Sequence, residues 1–254
     1  MAIAVIPARY GSTRFAAKML ADRTGRPLVQ HVYEQAARAR RITRTIIATD
    51  DPRIMEAVTR FGGEAVMTSA DHQSGTDRVA EVAAGQHDTI VLNVQGDEPE
   101  MDPDNIDRLV ALLESDAGCR IGTVAVPFPD DRPDSGSGSP ADPNCVKVVC
   151  DARGRALYFS RALIPFPRDT AGRPPRVGDW LLHLGIYGFR RDTLLELARL
   201  KPSRIEQVER LEQLRWLENG YSVSVAIGSR PSAGIDTPDD YEAFVNRWRA
   251  AGSK

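Results

Sequence analysis

Arg9, Arg14 and Lys18 share one short segment with Gly11, Ser12 and Thr13, directly after the apolar run AIAVI. A turn that offers backbone N–H groups and three cations could surround a triphosphate. The segment lacks the G-x-x-x-x-G-K-[ST] spacing of a Walker loop and the pattern of a dinucleotide loop. On its own it reads equally as a solvated basic turn. Two carboxylates supply a possible complement: Asp97 in VQGDEP and Asp236 in GIDTPDD. Magnesium takes one or two carboxylates together with phosphate oxygens and water, so Asp97 and Asp236 are the candidate Mg2+ ligands. Singly, each is also an ordinary turn or capping residue, and Glu98 reads as a supporting or capping group rather than a ligand.

These residues need elements to bring them together. Ala2 to Ile6 is a continuous apolar, β-branched run, the pattern of a strand buried on both faces. A helical stretch near Leu28 to Arg41 follows, then TIIAT at 45–49, a helix near Pro52 to Phe61, EAVMT at 64–68, a helix near Thr76 to Ala84 and TIVLNV at 89–94. Strands alternating with helices predict βαβ units and a parallel sheet. Ligands of such sheets lie beyond the carboxyl ends of the strands, where ARYGSTR, ATDD and QGDEP fall.

Residues 129–144 are dense in Pro, Gly, Ser and Asp and predict a flexible insertion, with disorder near Ser135 to Ser139. VKVVC and ALYF read as a hairpin turning at Arg153 and Gly154, and LGIYGF as a further strand. A helix from about Ile205 to Glu218 follows, and a last one is capped by Thr237 with Pro238 at its first position. The expected fold is α/β, with a mostly parallel central sheet and a small antiparallel lobe. By this pattern residues 1–128 are the α/β part, 129–144 the insertion, and 145–254 a lobe that returns to the main sheet; their roles in nucleotide binding, and in acceptor binding and dimerisation, are implied only by the resemblance given below.

The chain has 254 residues, 42% of them hydrophobic, enough for a sizeable core. Its 33 Lys+Arg against 35 Asp+Glu leave a net charge of −2, which excludes a broad field for nucleic acid or an anionic membrane. Cys119, Cys145 and Cys150 are an odd set without a C-x-x-C pair and predict reduced thiols. The short AIAVI run is cut off by Pro7 and Arg9, too early for a signal-peptide core, and no run suits a membrane span. A cytoplasmic location is the expectation.

PARYGSTR with Lys18, ADHQSGTDR at 70–78, VQGDEP at 94–99 and GIDTP at 234–238 together resemble the 3-deoxy-manno-octulosonate cytidylyltransferase family. DPNCVKVV, ALYFSRALIPFPRD, HLGIYGFR and LEQLR extend the resemblance over nearly the whole chain. It implies a Rossmann-like nucleotidyltransferase fold, a homodimer, and attack by the anomeric hydroxyl of a small acidic sugar on the α-phosphate of CTP. Arg9, Gly11, Ser12, Arg14 and Lys18 then hold the triphosphate. Ser74, Gly75, Arg78 and Gln95 lie at the nucleotide, and Arg161, His183, Tyr187, Glu212 and Gln213 at the acceptor. Lys18, Arg9, Asp97 and Asp236 carry the chemistry. The chain departs from the family's R-L-P-G-K in reading Arg14, Phe15, Ala16, Ala17, Lys18. That departure and the 129–144 insertion leave open a different acid, such as an amino-sugar analogue or a phosphonate. A nucleotide-binding sensor without turnover is the alternative from another class. A glycosyltransferase would carry a D-x-D pair, which VQGDEP lacks.

Overall fold

The computed structural model describes residues 1–11 and 15–252. They divide into two compact units, Met1–Asp107 with Ser232–Lys254, and Arg108–Pro231.

In the first unit, strands β1 (Ala2–Ala8), β2 (Arg44–Thr49), β3 (Glu64–Met67) and β4 (Ile90–Asn93) alternate with helices α1 (Leu28–Ala37), α2 (Pro52–Arg60) and α3 (Gly75–Ala84). The strands run parallel in the order β3-β2-β1-β4. β1 lies between two neighbours, with Val5 in register with Ile46 and Asn93. Its apolar run is continuous because both of its faces are covered, and Ala2 through Ile6 are buried.

Helices α2 and α3 start at side-chain caps, whereas α1 follows Pro27 without one. The Asp51 side chain accepts from Arg53 N with Pro52 inside the first turn, and Ser74 and Asp77 form a reciprocal capping box. α1 stops four residues short of the expected Arg41. The N–H groups of Arg40 and Arg41 donate to the Asp107 carboxylate at 3.2 and 2.8 Å, which draws the chain out of the helix.

α4 (Pro103–Ser115) carries the unit boundary, and α8 (Pro238–Gly252) closes the first unit. α8 buries Tyr241, Phe244 and Val245 against Leu28 and Ile235, with Phe15 packed on the same cluster. Burying Phe244 alone stabilises by roughly 2 kcal/mol. Trp248 meets His31 edge-on at 4.5 Å and lies 5.8 Å from the Arg26 guanidinium.

In the second unit β5 (Ile121–Pro127) pairs antiparallel with β8 (Leu181–Arg190) and parallel with β9 (Ser224–Ile227). β6 (Lys147–Cys150) and β7 (Ala156–Ser160) form the expected antiparallel hairpin. Its turn is closed by Asp151 N to Arg155 O at 2.8 Å, with Gly154 at φ +75°. The fold is α/β with mixed strand pairing, as the sequence pattern implied. Residues 129–144 contain turns but no helix or strand, and side chains close those turns: Gly138 N and Asn144 N donate to the Asp142 carboxylate. Cys119, Cys145 and Cys150 are free thiols.

The expected helix from Ile205 to Glu218 is corrected to two, α6 (Arg204–Glu209) and α7 (Gln213–Glu218), preceded by the short α5 (Arg191–Leu197). Arg210 adopts a left-handed conformation, φ +55°, and ends α6. The carbonyls exposed by this break find a donor far away in sequence: Arg161 Nε donates to Glu209 O at 2.7 Å.

Candidate active site

The site of the first unit is built where β1 and β4 end and α3 begins. Gly96, just past β4, lies so close to the chain after β1 that a Cβ there would meet Pro7 O at 2.6 Å. Only glycine allows this approach, which brings Gln95 to Asp97 beside the segment that follows β1. A cavity of about 300 Å³ opens there, lined by Arg9, Lys18, Gln95 and Asp97, by Ser74, Gly75 and Arg78 at the head of α3, and by Asp236. Eight sequence-predicted residues are therefore brought together. Gly11 is exposed and does not line the cavity. Ser12 and Arg14 lie outside the described residues.

Lys18 is the centre of the arrangement. Its residue is buried, and Nζ lies 3.0 Å from Asp97 Oδ2 and 4.0 Å from Asp236 Oδ1, while donating to Ile235 O at 2.6 Å. The backbone sews the same strands of chain together, since Ile235 N donates to Asp97 O at 2.9 Å. Asp236 is fixed through a residue that sequence reasoning passed over. Asp240 forms a reciprocal capping box with Thr237, and its carboxylate also accepts from Asp236 N at 3.1 Å. Burial raises the Asp240 carboxyl pKa, but these hydrogen bonds outweigh it and hold the group below its ordinary value.

Two hard carboxylates that straddle one ammonium can also straddle a small divalent cation. Among the described residues no group of three or more His, Cys, Asp or Glu could hold a metal. Asp97 and Asp236 therefore fit an ion such as Mg2+ that completes its shell with phosphate oxygens and water. Glu98 accepts from Ser232 Oγ, and burial, reinforced by Asp97, pushes its carboxyl up to about 7 against the lowering effect of that hydrogen bond.

Arg78 is buried and donates to Thr68 Oγ1 and, at 2.8 Å, to Asp50 Oδ2. Asp50, from ATDD, is thus the counter-charge to the buried Arg78 at the cavity wall. The cavity also takes in His72, which sequence reasoning missed although it lies within ADHQSGTDR; its Nε2 pairs with Glu81. Met19 and Pro7 supply apolar wall, a role with no sequence signal of its own.

The second unit carries the residues assigned to the acceptor. His183 and Tyr187 lie on β8 on either side of a register shift opposite Thr123 and Val124, which leaves their ring centroids 5.3 Å apart. Thr123 Oγ1 lies 2.7 Å from Ile186 O and 2.9 Å from His183 Nε2. The hydroxyl has one proton, and donating it to Ile186 O leaves the oxygen to accept from His183 Nε2–H. Burial pushes the His183 imidazole down to about 3, so it is a neutral hydrogen-bonding group at physiological pH.

Tyr187 is buried between His183, Phe189 and Trp216, and burial together with the Glu212 charge raises its phenol well above the ordinary value. Glu212 sits at the N-cap of α7, and Gln213, the first residue of that helix, is buried. Arg161 gives three of its donor contacts to carbonyls, those of Glu209, Pro143 and Arg210. Its five N–H groups leave two for another partner.

Comparison with known proteins gives this geometry a context. The cytidylyltransferase family model matches residues 3–226. A 3-deoxy-manno-octulosonate cytidylyltransferase of Syntrophotalea carbinolica is 49% identical over 242 residues, covering 93% of this chain and 94% of its own. One from Syntrophobacter fumaroxidans is 48% identical over 246 residues, covering 96% of this chain and 95% of its own. A solved structure described as CMP:2-keto-3-deoxy-manno-octonic acid synthetase complexed with CTP superposes with a TM-score of 0.89 at 39% identity, covering 98% of this chain and 99% of that one. With this match in sequence along nearly its full length and in fold, the chain belongs to the family of 3-deoxy-manno-octulosonate cytidylyltransferases.

Proposed function

We propose that this enzyme transfers CMP from CTP to the anomeric hydroxyl of 3-deoxy-manno-octulosonate, with release of pyrophosphate, in a Mg2+-dependent reaction. The observation that carries the reading is the Lys18 ammonium set between Asp97 and Asp236 in a cavity walled by the N-terminus of α3. Arg9 and Lys18 bind the triphosphate and offset the charge that develops on it as the pyrophosphate departs. The N-terminal turn of α3, capped by Ser74, and the Asp50-backed Arg78 hold the nucleoside end. Asp97 and Asp236 hold the magnesium ion, which when bound supplies Lewis-acid polarisation of phosphorus and lowers the pKa of the attacking hydroxyl.

The acceptor belongs to the second unit. His183 stays neutral and contributes hydrogen bonds to sugar hydroxyls, and the remaining Arg161 donors suit the sugar carboxylate. Two further points belong to the same reading. A homodimer is supported by Leu157, Phe166, Val208 and Ile227, large apolar side chains that the second unit leaves exposed. A cytoplasmic location belongs to the same proposal; among the described residues no helix is long and apolar enough to cross a membrane. Light scattering checks the dimer.

The decisive experiment follows pyrophosphate from purified protein with CTP, Mg2+ and 3-deoxy-manno-octulosonate. CTP-dependent release that falls at least about 100-fold in Asp97→Asn is the expected result. Release that survives this change rejects the role of Asp97, and CTP binding without release rejects the acceptor.

A further inference from the structure

Lys18 reaches the two carboxylates in a way that has consequences for the metal. Its ammonium is desolvated, lies 3.0 Å from Asp97 and 4.0 Å from Asp236, and is pinned by the Ile235 carbonyl at 2.6 Å. A divalent cation held by the same two side chains would stand within a few ångströms of a positive charge that water screens poorly. Each carboxylate has a second oxygen, so two arrangements are open in principle. The cations could share the carboxylates, or one could exclude the other.

Burial decides between them. The Lys18 side chain is only 10% exposed, and the carboxylates it faces are 33% (Asp97) and 48% (Asp236) exposed, so repulsion between the two cations is screened less than between charges on an open surface. The flexible four-carbon stem of lysine lets the ammonium leave without disturbing the backbone. We infer that Lys18 and the divalent cation compete for Asp97 and Asp236, so that Lys18 keeps the metal out until a triphosphate gives the ammonium another partner. The metal is then admitted with the nucleotide rather than before it. This inference rests on the reading that Asp97 and Asp236 are the metal ligands, and its test separates the two.

Binding of Mn2+ alone, without nucleotide, is measured by the loss of the free-ion paramagnetic resonance signal. Wild type is compared with Lys18→Met, with Lys18→Gln, which keeps a donor for the Ile235 carbonyl, and with each combined with Asp97→Asn. Competition predicts Mn2+ binding about tenfold tighter in both Lys18 variants and a loss of that gain when Asp97→Asn is added. Equal or weaker binding in the Lys18 variants, while Asp97→Asn still weakens it, overturns the competition and leaves the metal ligands standing. Indifference to Asp97→Asn in every background overturns the ligand assignment itself.

A second measurement on wild type does not depend on how the variants fold. Mn2+ should speed acylation of Lys18 by an amine-reactive reagent, read by peptide mass spectrometry, because the ion displaces the ammonium. Slower or unchanged acylation at saturating Mn2+ contradicts the proposal.

Discussion

Asp97 and Asp236 stand 139 positions apart in the chain, and ordinary capping and turn chemistry brings them to one ammonium. Their residue types and their place at strand and helix ends were legible in the sequence, because capping signals are local. Their tethers were not: Asp240 reads as one more acidic residue in a first helical turn until its bond to Asp236 N is seen. Asp50 was hidden in the same way. ATDD marks a strand edge, but only the fold shows that Asp50 neutralises the buried Arg78. Removing one partner of a buried pair leaves an uncompensated charge, so Asp50→Ala should lower unfolding stability by roughly 3 kcal/mol in urea titrations. His183 supplies a pH prediction. Its folded pKa of about 3 lies below the ordinary 6.5, so between those values the unfolded chain binds more protons and stability falls as pH drops. Each pH unit in that window costs up to about 1.4 kcal/mol, and His183→Gln should flatten the fall between pH 6.5 and 5.

At the scale of elements, the parallel β1 to β4 array was readable because β1 and β4 are continuous apolar runs and α2 and α3 begin at side-chain caps, as with Ser74 and Asp77 at α3. The break between α6 and α7 was not readable. No Gly or Asn marks Arg210, and the carbonyls it exposes are met by Arg161, 48 residues earlier. A helix that ends for a tertiary reason leaves no local stop signal. The segment before Lys18 shows the converse. Ala17 takes a left-handed conformation, φ 52°, in the position where the family resemblance leads one to expect glycine. A side chain there costs of order 1 kcal/mol, so Ala17→Gly should raise unfolding stability by up to about 1 kcal/mol. Ala17→Val should lower it by more than that, since β-branching suits φ above zero still less. Equal melting of all three proteins would show that the loop relaxes freely.

For the molecule as a whole, the near-neutral charge leaves anion binding to the local cluster of cations, and the residues proposed to hold the nucleotide all fall within the first unit. Nucleotide binding must therefore appear as stability. CTP with Mg2+ at a hundred times its dissociation constant adds about 2.7 kcal/mol, which for a chain of this length raises the melting temperature by roughly 5–10 °C. Thermal shift measurements should find that gain kept in His183→Gln, whose change lies in the second unit, and sharply reduced in Lys18→Gln.

The docking of α8 gives the protein a built-in optical probe. Of its three tryptophans, Trp180 and Trp216 are buried in the second unit, while Trp248 is 39% exposed beside His31 in the first. A half-solvated indole emits to the red of a buried one, and an adjoining imidazole quenches it once protonated. The red edge of the intrinsic fluorescence thus follows the first unit and the blue edge the second, so the native chain reports on its two halves in two colours.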